Sequence, residues 1–290
     1  MIITLYSSLD YGTINNGNYN SEVKYMKIGF FGAGAMGGAI LSGAIETGVI
    51  RPEDAYVYDL AVAIKEKYKA LGCNIVESAT ELGESSDIVV VALKPQYAQG
   101  GLAQLEDSVD GKALISIMAG LTTETIRSWT KGDFRLLRLM PNTPALVGAG
   151  AFALDSETDL TTDEKDFAEK LFTSIGIVEW MPEHLIDTAC GLSGAGPAYI
   201  YLVIEALADG GVLKGLPRPT AMKLAAQTVY GAAKMVLETG KHPGELKDMV
   251  CSPGGNTIVG IKTLEDHGVR GAFIDTVGKA TERAQELGKK

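Results

Sequence analysis

Residues 27–41 read "KIGFFGAGAMGGAIL", an apolar run followed by Gly32, Gly34 and Gly37 and then by a stretch rich in Ala and Ile. An apolar strand that enters a glycine-rich turn and opens into a helix is the arrangement that receives a dinucleotide pyrophosphate. Gly32 allows the tight turn, Gly34 lets the ligand approach the backbone, and Gly37 lets helix and strand pack closely. Ala33, Ala35 and Met36 fill the positions between. The helix N-terminus adds unpaired N–H groups and a partial positive charge.

A second run, "AYVYD", ends at Asp59, near the interval of about 20 residues expected for a carboxylate on the adenosine ribose. Asp is also a common strand-end turn residue, so both roles stand. In the ribose role it repels a 2′-phosphate, and no arginine follows to accept one; Lys65 is the nearest basic residue. The expected cofactor is therefore NADPH or NADH, with NADH at least competitive.

Outward from this turn, short apolar runs alternate with amphipathic segments, the mark of βαβ units. The pattern predicts strands at residues 27–31, 55–58, 74–76, 88–92, 113–117, 135–139, 150–153 and 176–180. That is a doubly wound, parallel, Rossmann-like sheet of about eight strands, with its ligand beyond the strands' carboxyl ends. After Pro182 the spacing turns helical. The expected organisation is an extension at residues 1–25, a dinucleotide-binding domain at 26–182, and an all-α substrate-binding and dimerisation domain at 183–290. The segment "PAYIYLVIEALA" (residues 197–208) is apolar on nearly every face, as is much of residues 221–237. Helices of that kind must be covered, which points to a homodimer built on them.

Composition narrows the partners. With 26 Lys+Arg against 36 Asp+Glu the net charge is −10, which disfavours nucleic acid and anionic membrane surfaces. Cys73, Cys190 and Cys251 are odd in number and widely separated, so neither a disulfide framework nor a zinc knuckle is indicated, and a cytoplasmic location fits. His184, His242 and His267 are equally scattered, so no metal is expected. No uninterrupted apolar run reaches the roughly 18 to 20 residues of a membrane span. Residues 1–25 lack the basic start and apolar segment of a signal peptide and read as a floppy extension.

Four further motifs stand out: "VALKPQ" (91–96), "MPNTPA" (140–145), "LSGAGPAY" (192–199) and "DMVCSPGGNTI" (248–258). In this order and spacing they closely resemble pyrroline-5-carboxylate reductase, and the resemblance runs from Met26 to the C-terminus. It implies hydride transfer from a nicotinamide to the C=N carbon of 1-pyrroline-5-carboxylate, giving proline, in a dimer or a multiple such as a decamer. It implies that Ala92, Leu93, Lys94 and Pro95 line the nucleotide together with Met118 and Ala119. It places Val250, Ser252, Gly255 and Asn256 against the substrate, with Thr257 as the hydroxyl at the ring nitrogen. The residues themselves allow this: Gly254 and Gly255 free backbone N–H groups, and a helix starting at Asn256 or Thr257 would offer its positive end to a carboxylate. They also allow an ordinary turn with Asn256 or Thr257 as N-cap. Lys94 as a proton donor and Asn142 as a structural or nicotinamide-positioning residue are further candidates.

Two departures bear on specificity. Asn256 stands where many relatives have Thr or Ala, and Asp59 and Ala79 stand where many have groups that bind a 2′-phosphate. Two other readings compete. A β-hydroxyacid dehydrogenase needs a lysine on the helix after its glycine motif, but "GLSGAGPAYIYLVIEALADGG" (191–211) has none. A non-catalytic NAD(P)-binding redox sensor would be told apart by absence of turnover.

Overall fold

The computed structural model describes residues 26–288. The expected extension at residues 1–25 lies outside them. The first half alternates β1 (Ile28–Phe31), α1 (Ala35–Glu46), β2 (Ala55–Tyr58), α2 (Val62–Ala70), β3 (Asn74–Ile75), α3 (Ala79–Ser85), β4 (Ile88–Val91) and α4 (Pro95–Leu102). It continues through β5 (Ala113–Ser116), α5 (Thr123–Trp129), β6 (Arg135–Met140), β7 (Gly150–Asp155), α6 (Thr162–Thr173) and β8 (Gly176–Met181). All eight predicted strands are present. They form one sheet in the order β3-β2-β1-β4-β5-β6-β7-β8.

One expectation needs correcting: the sheet is not parallel throughout. β6 and β7 pair antiparallel, with Leu139 opposite Leu154, and β8 runs parallel to β7. The reversal is made by the short turn Thr143–Val147, which ends at Gly148 in the left-handed region at φ +69°. Glycine adopts that conformation without a Cβ clash. Apolar spacing marks a strand but carries no information about its direction.

β1, β4 and β5 are buried along their whole length, as parallel strands sandwiched between helices must be. One face packs Ile40 and Leu41 of α1, Tyr68 of α2 and Phe172 of α6 against Phe30 and Val90. The other packs Leu82 of α3, Leu102 of α4 and Ile126 of α5 against Val89 and Leu114. The strand order reverses between β1 and β4, opening a crevice at their carboxyl ends where such folds bind ligands.

From Glu183 the chain is helical: α7 (Glu183–Ala189), a π-helical stretch (Cys190–Gly194), α8 (Gly196–Leu213) and α9 (Arg218–Thr239). α10 (Pro243–Met249), α11 (Asn256–Asp266) and α12 (Val269–Gly288) complete it. α8 and α9 form a hairpin that closes on small residues, Ala208 against Ala221 and Ala225, with Gly211 beside Ala221. α12 returns to pack on α7 and the π-helical stretch. The helical stretch Glu183–Leu213 is long enough to cross a membrane and holds an 18-residue window with a mean hydropathy of 1.3. Leu192, Leu202, Leu207, Leu213, Leu224 and Leu237 are each more than half exposed within one protomer. At about 1.5–3 kcal/mol per buried leucine, covering these six is worth on the order of 10 kcal/mol.

Candidate active site

The glycine turn combines two close backbone approaches with one open position. Gly32 sits at φ +88°, and its N–H donates to the Tyr58 carbonyl at 2.9 Å, joining β1 to β2. A Cβ on Gly37 would strike the Gly32 carbonyl oxygen and come within 2.8 Å of the Ala92 Cβ, so close strand-to-helix packing requires glycine there. Gly34 differs: a Cβ there would meet nothing within 4 Å. Packing within the chain therefore does not demand this glycine, whereas a ligand lying on the turn would. Gly34 is also the N-cap of α1 and contributes no side-chain cap, so the first N–H groups of the helix keep their donor capacity.

A cavity of about 540 Å³ lies beside the turn, lined by Gly32, Gly34, Asp59, Ala92, Leu93 and Lys94 among others. Lys94 is the exposed N-cap of α4, with Pro95 at the first helical position. Ala33 is buried and Ala35 exposed at the turn, and Met36 packs partly against the core. Met118 is buried among Leu121, Ile126 and Phe134, so its side chain belongs to the core; Ala119 is half-buried. Asp59 is already engaged. Its Oδ2 accepts the Ala33 N–H and its Oδ1 the Ala61 N–H, each at 2.9 Å. A carboxylate offers about four lone-pair sites, which leaves room for a ribose hydroxyl as well. Lys65 is paired with Glu77 at 2.7 Å.

The second glycine turn has the same design. Gly255 N–H donates to the Ser252 carbonyl at 3.0 Å, and Gly254 sits at φ +68°. The N-cap of α11 is Gly255 and not Asn256 or Thr257, and no side chain caps it. Asn256 and Thr257 are thus the first helical residues. Val250, Ser252 and Asn256 are exposed, while Thr257 is half-buried. None of the residues lining the cavity at Gly34 comes from this turn.

Asn142 holds the junction between sheet and helices. It donates to the Ser193 carbonyl at 3.1 Å and accepts the Ala151 N–H at 2.9 Å, which is a structural role. The π-helical stretch beside it is closed by Ala195 N–H to the Cys190 carbonyl at 2.9 Å. Such stretches are rare and frequent at functional sites.

A family model described as pyrroline-5-carboxylate reductase dimerisation matches residues 183–287. Another, described as NADP oxidoreductase coenzyme F420-dependent, matches residues 27–120. The pyrroline-5-carboxylate reductase of Methanosarcina acetivorans is 44% identical over 83% of this chain and 90% of its own. That of Escherichia coli is 42% identical over the same shares. The chain belongs to the pyrroline-5-carboxylate reductase family. Solved structures of pyrroline-5-carboxylate reductases agree. The Coxiella burnetii protein is 36% identical with a TM-score of 0.85, over 91% of this chain and 99% of that one. The Plasmodium falciparum protein, solved with NADP bound, is 34% identical with a TM-score of 0.82, over 91% and 98%.

Sequence reasoning passed over three residues of this reductase. Arg138 of β6 is buried at 3% exposure and pairs with Asp187 and Glu183 of α7. The only signal was a second arginine inside the apolar strand "RLLRLM", which reads as an ordinary charged strand position.

Proposed function

We propose that the chain reduces 1-pyrroline-5-carboxylate to L-proline with NADPH or NADH. The observation that carries the reading is a pair of glycine turns, each opening an uncapped helix N-terminus, in a chain 44% identical to a pyrroline-5-carboxylate reductase. Two anions need binding in this reaction, the cofactor pyrophosphate and the substrate carboxylate. An uncapped helix N-terminus suits either.

The open Gly34 position and the α1 N-terminus fit the pyrophosphate, with Gly32, Ala33, Ala35, Met36 and Gly37 shaping the turn. Ala92, Leu93, Lys94 and Pro95 border the same crevice, and Met118 and Ala119 contribute through their backbone. When bound, the nicotinamide supplies a hydride. On the substrate side, Val250, Ser252, Gly255 and Asn256 hold the carboxylate, with backbone N–H groups as the main donors. Thr257 places its hydroxyl at the ring nitrogen and orients the imine, whose protonated form is the better electrophile. Hydride adds to the imine carbon, the C=N π pair passes to nitrogen, and the proton already there stays as the amine N–H.

Since no residue of the second turn lines the cofactor cavity of its own protomer, we assign its delivery to the partner subunit of a homodimer, or of a multiple such as a decamer. The exposed leucines of α8 and α9 support this assembly. They also support reading Glu183–Leu213 as an interface helix and not a membrane span. The net charge of −10 favours no nucleic-acid partner, and three free cysteines favour the cytoplasm. A β-hydroxyacid dehydrogenase is disfavoured because α8 carries no lysine.

The test is NADH and NADPH oxidation with 1-pyrroline-5-carboxylate, scoring proline formed. One proline per cofactor oxidised is expected. No oxidation with either cofactor would leave the redox-sensor reading.

A further inference from the structure

The middle of β6 places a charge where none is usual. Arg138 follows two leucines in the strand, its side chain is 3% exposed, and a buried guanidinium must be paired. Its Nη2 donates to Asp187 Oδ1 at 2.5 Å and its Nη1 to Glu183 Oε1 at 3.3 Å. The two acids lie one turn apart on α7, the first helix of the helical domain. One guanidinium therefore fixes both the position and the rotation of α7 on the sheet.

Glu183 extends the connection. The oxygen that faces Arg138 also accepts the Thr123 N–H at 2.6 Å. Thr123 is the first residue of α5, directly after the loop that leaves β5 and carries Met118 and Ala119. From the other side α12 closes on the same loop, its Gly288 lying against the Gly120 carbonyl. α7 in turn runs into the π-helical stretch, which meets Met140 at Gly194 and Asn142 at Ser193. The Arg138 and Glu183 side chains thus connect the cofactor loop, the central sheet and the root of the helical domain.

This network is not tuned for stability alone. Arg138 Nε and Thr123 Oγ1 are buried with no hydrogen-bond partner among the described residues. Burying such groups unpaired lowers stability, and a buried ion pair is often no better for stability than apolar packing. What such a pair does provide is a fixed geometry.

We propose that Arg138 is a positioning residue for hydride transfer: through Glu183 and Asp187 it sets the helical domain against the cofactor loop. It touches neither cofactor nor substrate. The inference rests on the reductase reading. If the parent enzyme does not turn over, that reading fails; if the parent turns over and the variants match it, this inference alone fails.

Arg138→Lys keeps the charge but cannot span two carboxylates with a planar fork. Three quantities decide: NADPH affinity by nicotinamide fluorescence, the single-turnover rate of cofactor oxidation, and the deuterium isotope effect on kcat with 4-deuterated cofactor. The expected result is affinity within about threefold, hydride transfer slowed about 10- to 100-fold, and a larger isotope effect, since small misplacements of reacting atoms carry penalties of that order. A single-turnover rate within about twofold of the parent, or a loss confined to NADPH affinity, overturns it. Should Arg138→Lys fail to fold, Glu183→Gln is measured in the same way. It keeps an acceptor for Thr123 and loses the ion pair, and the same outcomes decide.

Discussion

The Asp59 carboxylate accepts the backbone N–H of Ala33 at 2.9 Å, so the end of β2 is tied directly to the dinucleotide turn. The residue that sequence spacing offers for the ribose is also a brace for the glycine turn. Either role would put a negative charge at the adenosine end of the proposed cofactor site; the nearest lysine in sequence, Lys65, is already paired with Glu77.

Replacing that charge should change cofactor choice. Asp59→Ser removes repulsion of a 2′-phosphate worth on the order of 1 kcal/mol at a water-like dielectric, and so should raise the NADPH-to-NADH ratio of kcat/KM by at least about fivefold. It should also weaken binding of both cofactors, because Ala33 loses its acceptor. Steady-state kinetics with the two cofactors checks this; an unchanged ratio removes Asp59 from cofactor selection.

Gly34 and Thr257 should complement each other between subunits. A Cβ at position 34 meets no atom within 4 Å, so Gly34→Val should fold and lose cofactor binding only. Thr257→Ala should bind cofactor and fail in catalysis. Mixed under conditions that exchange subunits, the two variants should recover up to about a quarter of parental activity, from the statistical share of restored sites in a shared-site dimer. Light scattering should give at least twice the 30.6 kDa chain mass. A monomer, or no recovery in a proven heterodimer, argues against a site completed in trans.

Acid stability should depend on Glu164. Arg135 Nε and Nη2 donate to its two oxygens at 2.8 and 2.6 Å, and its carboxylate closes a capping box with Thr161 at the start of α6. Burial alone would raise the Glu164 carboxyl, but the Arg135 bond and charge and the Thr161 bonds outweigh it and hold it below the usual glutamate value of 4.5. A depressed carboxylate contributes stability above its unfolded value, and that contribution disappears as pH falls through the folded one. Glu164→Gln should therefore be less stable by about 1–3 kcal/mol at pH 7, with the difference shrinking below about pH 4.5. Urea unfolding at several pH values checks it; a pH-independent difference contradicts the assignment.

Much of this was legible in the sequence because periodicity reports burial. Strands such as "IVVV" (88–91), buried on both faces, give unbroken apolar runs, and the turn at Gly32 gives a glycine at each place where a Cβ would collide or block a ligand. The reversal of β7 was not legible, since alternation is the same in either direction. Nor was Arg138, because its partners lie 45 and 49 residues away and only the fold brings α7 over β6. Asn142 could be placed near the site, but its bonds to Ala151 and Ser193 depend on two elements that sequence spacing does not align. The identity of the α11 cap turned on one residue: Gly255 takes the N-cap and leaves Asn256 and Thr257 inside the helix.

The proposed substrate cradle is the second glycine turn, at Ser252–Gly255, with Thr257 at the imine nitrogen. The direct measurement is kcat/KM for 1-pyrroline-5-carboxylate in the parent and in Thr257→Ala, with NADPH affinity measured alongside. Loss of a transition-state hydrogen bond predicts a drop of about ten- to a thousandfold with cofactor binding intact. Unchanged efficiency in Thr257→Ala would remove Thr257 from the reaction.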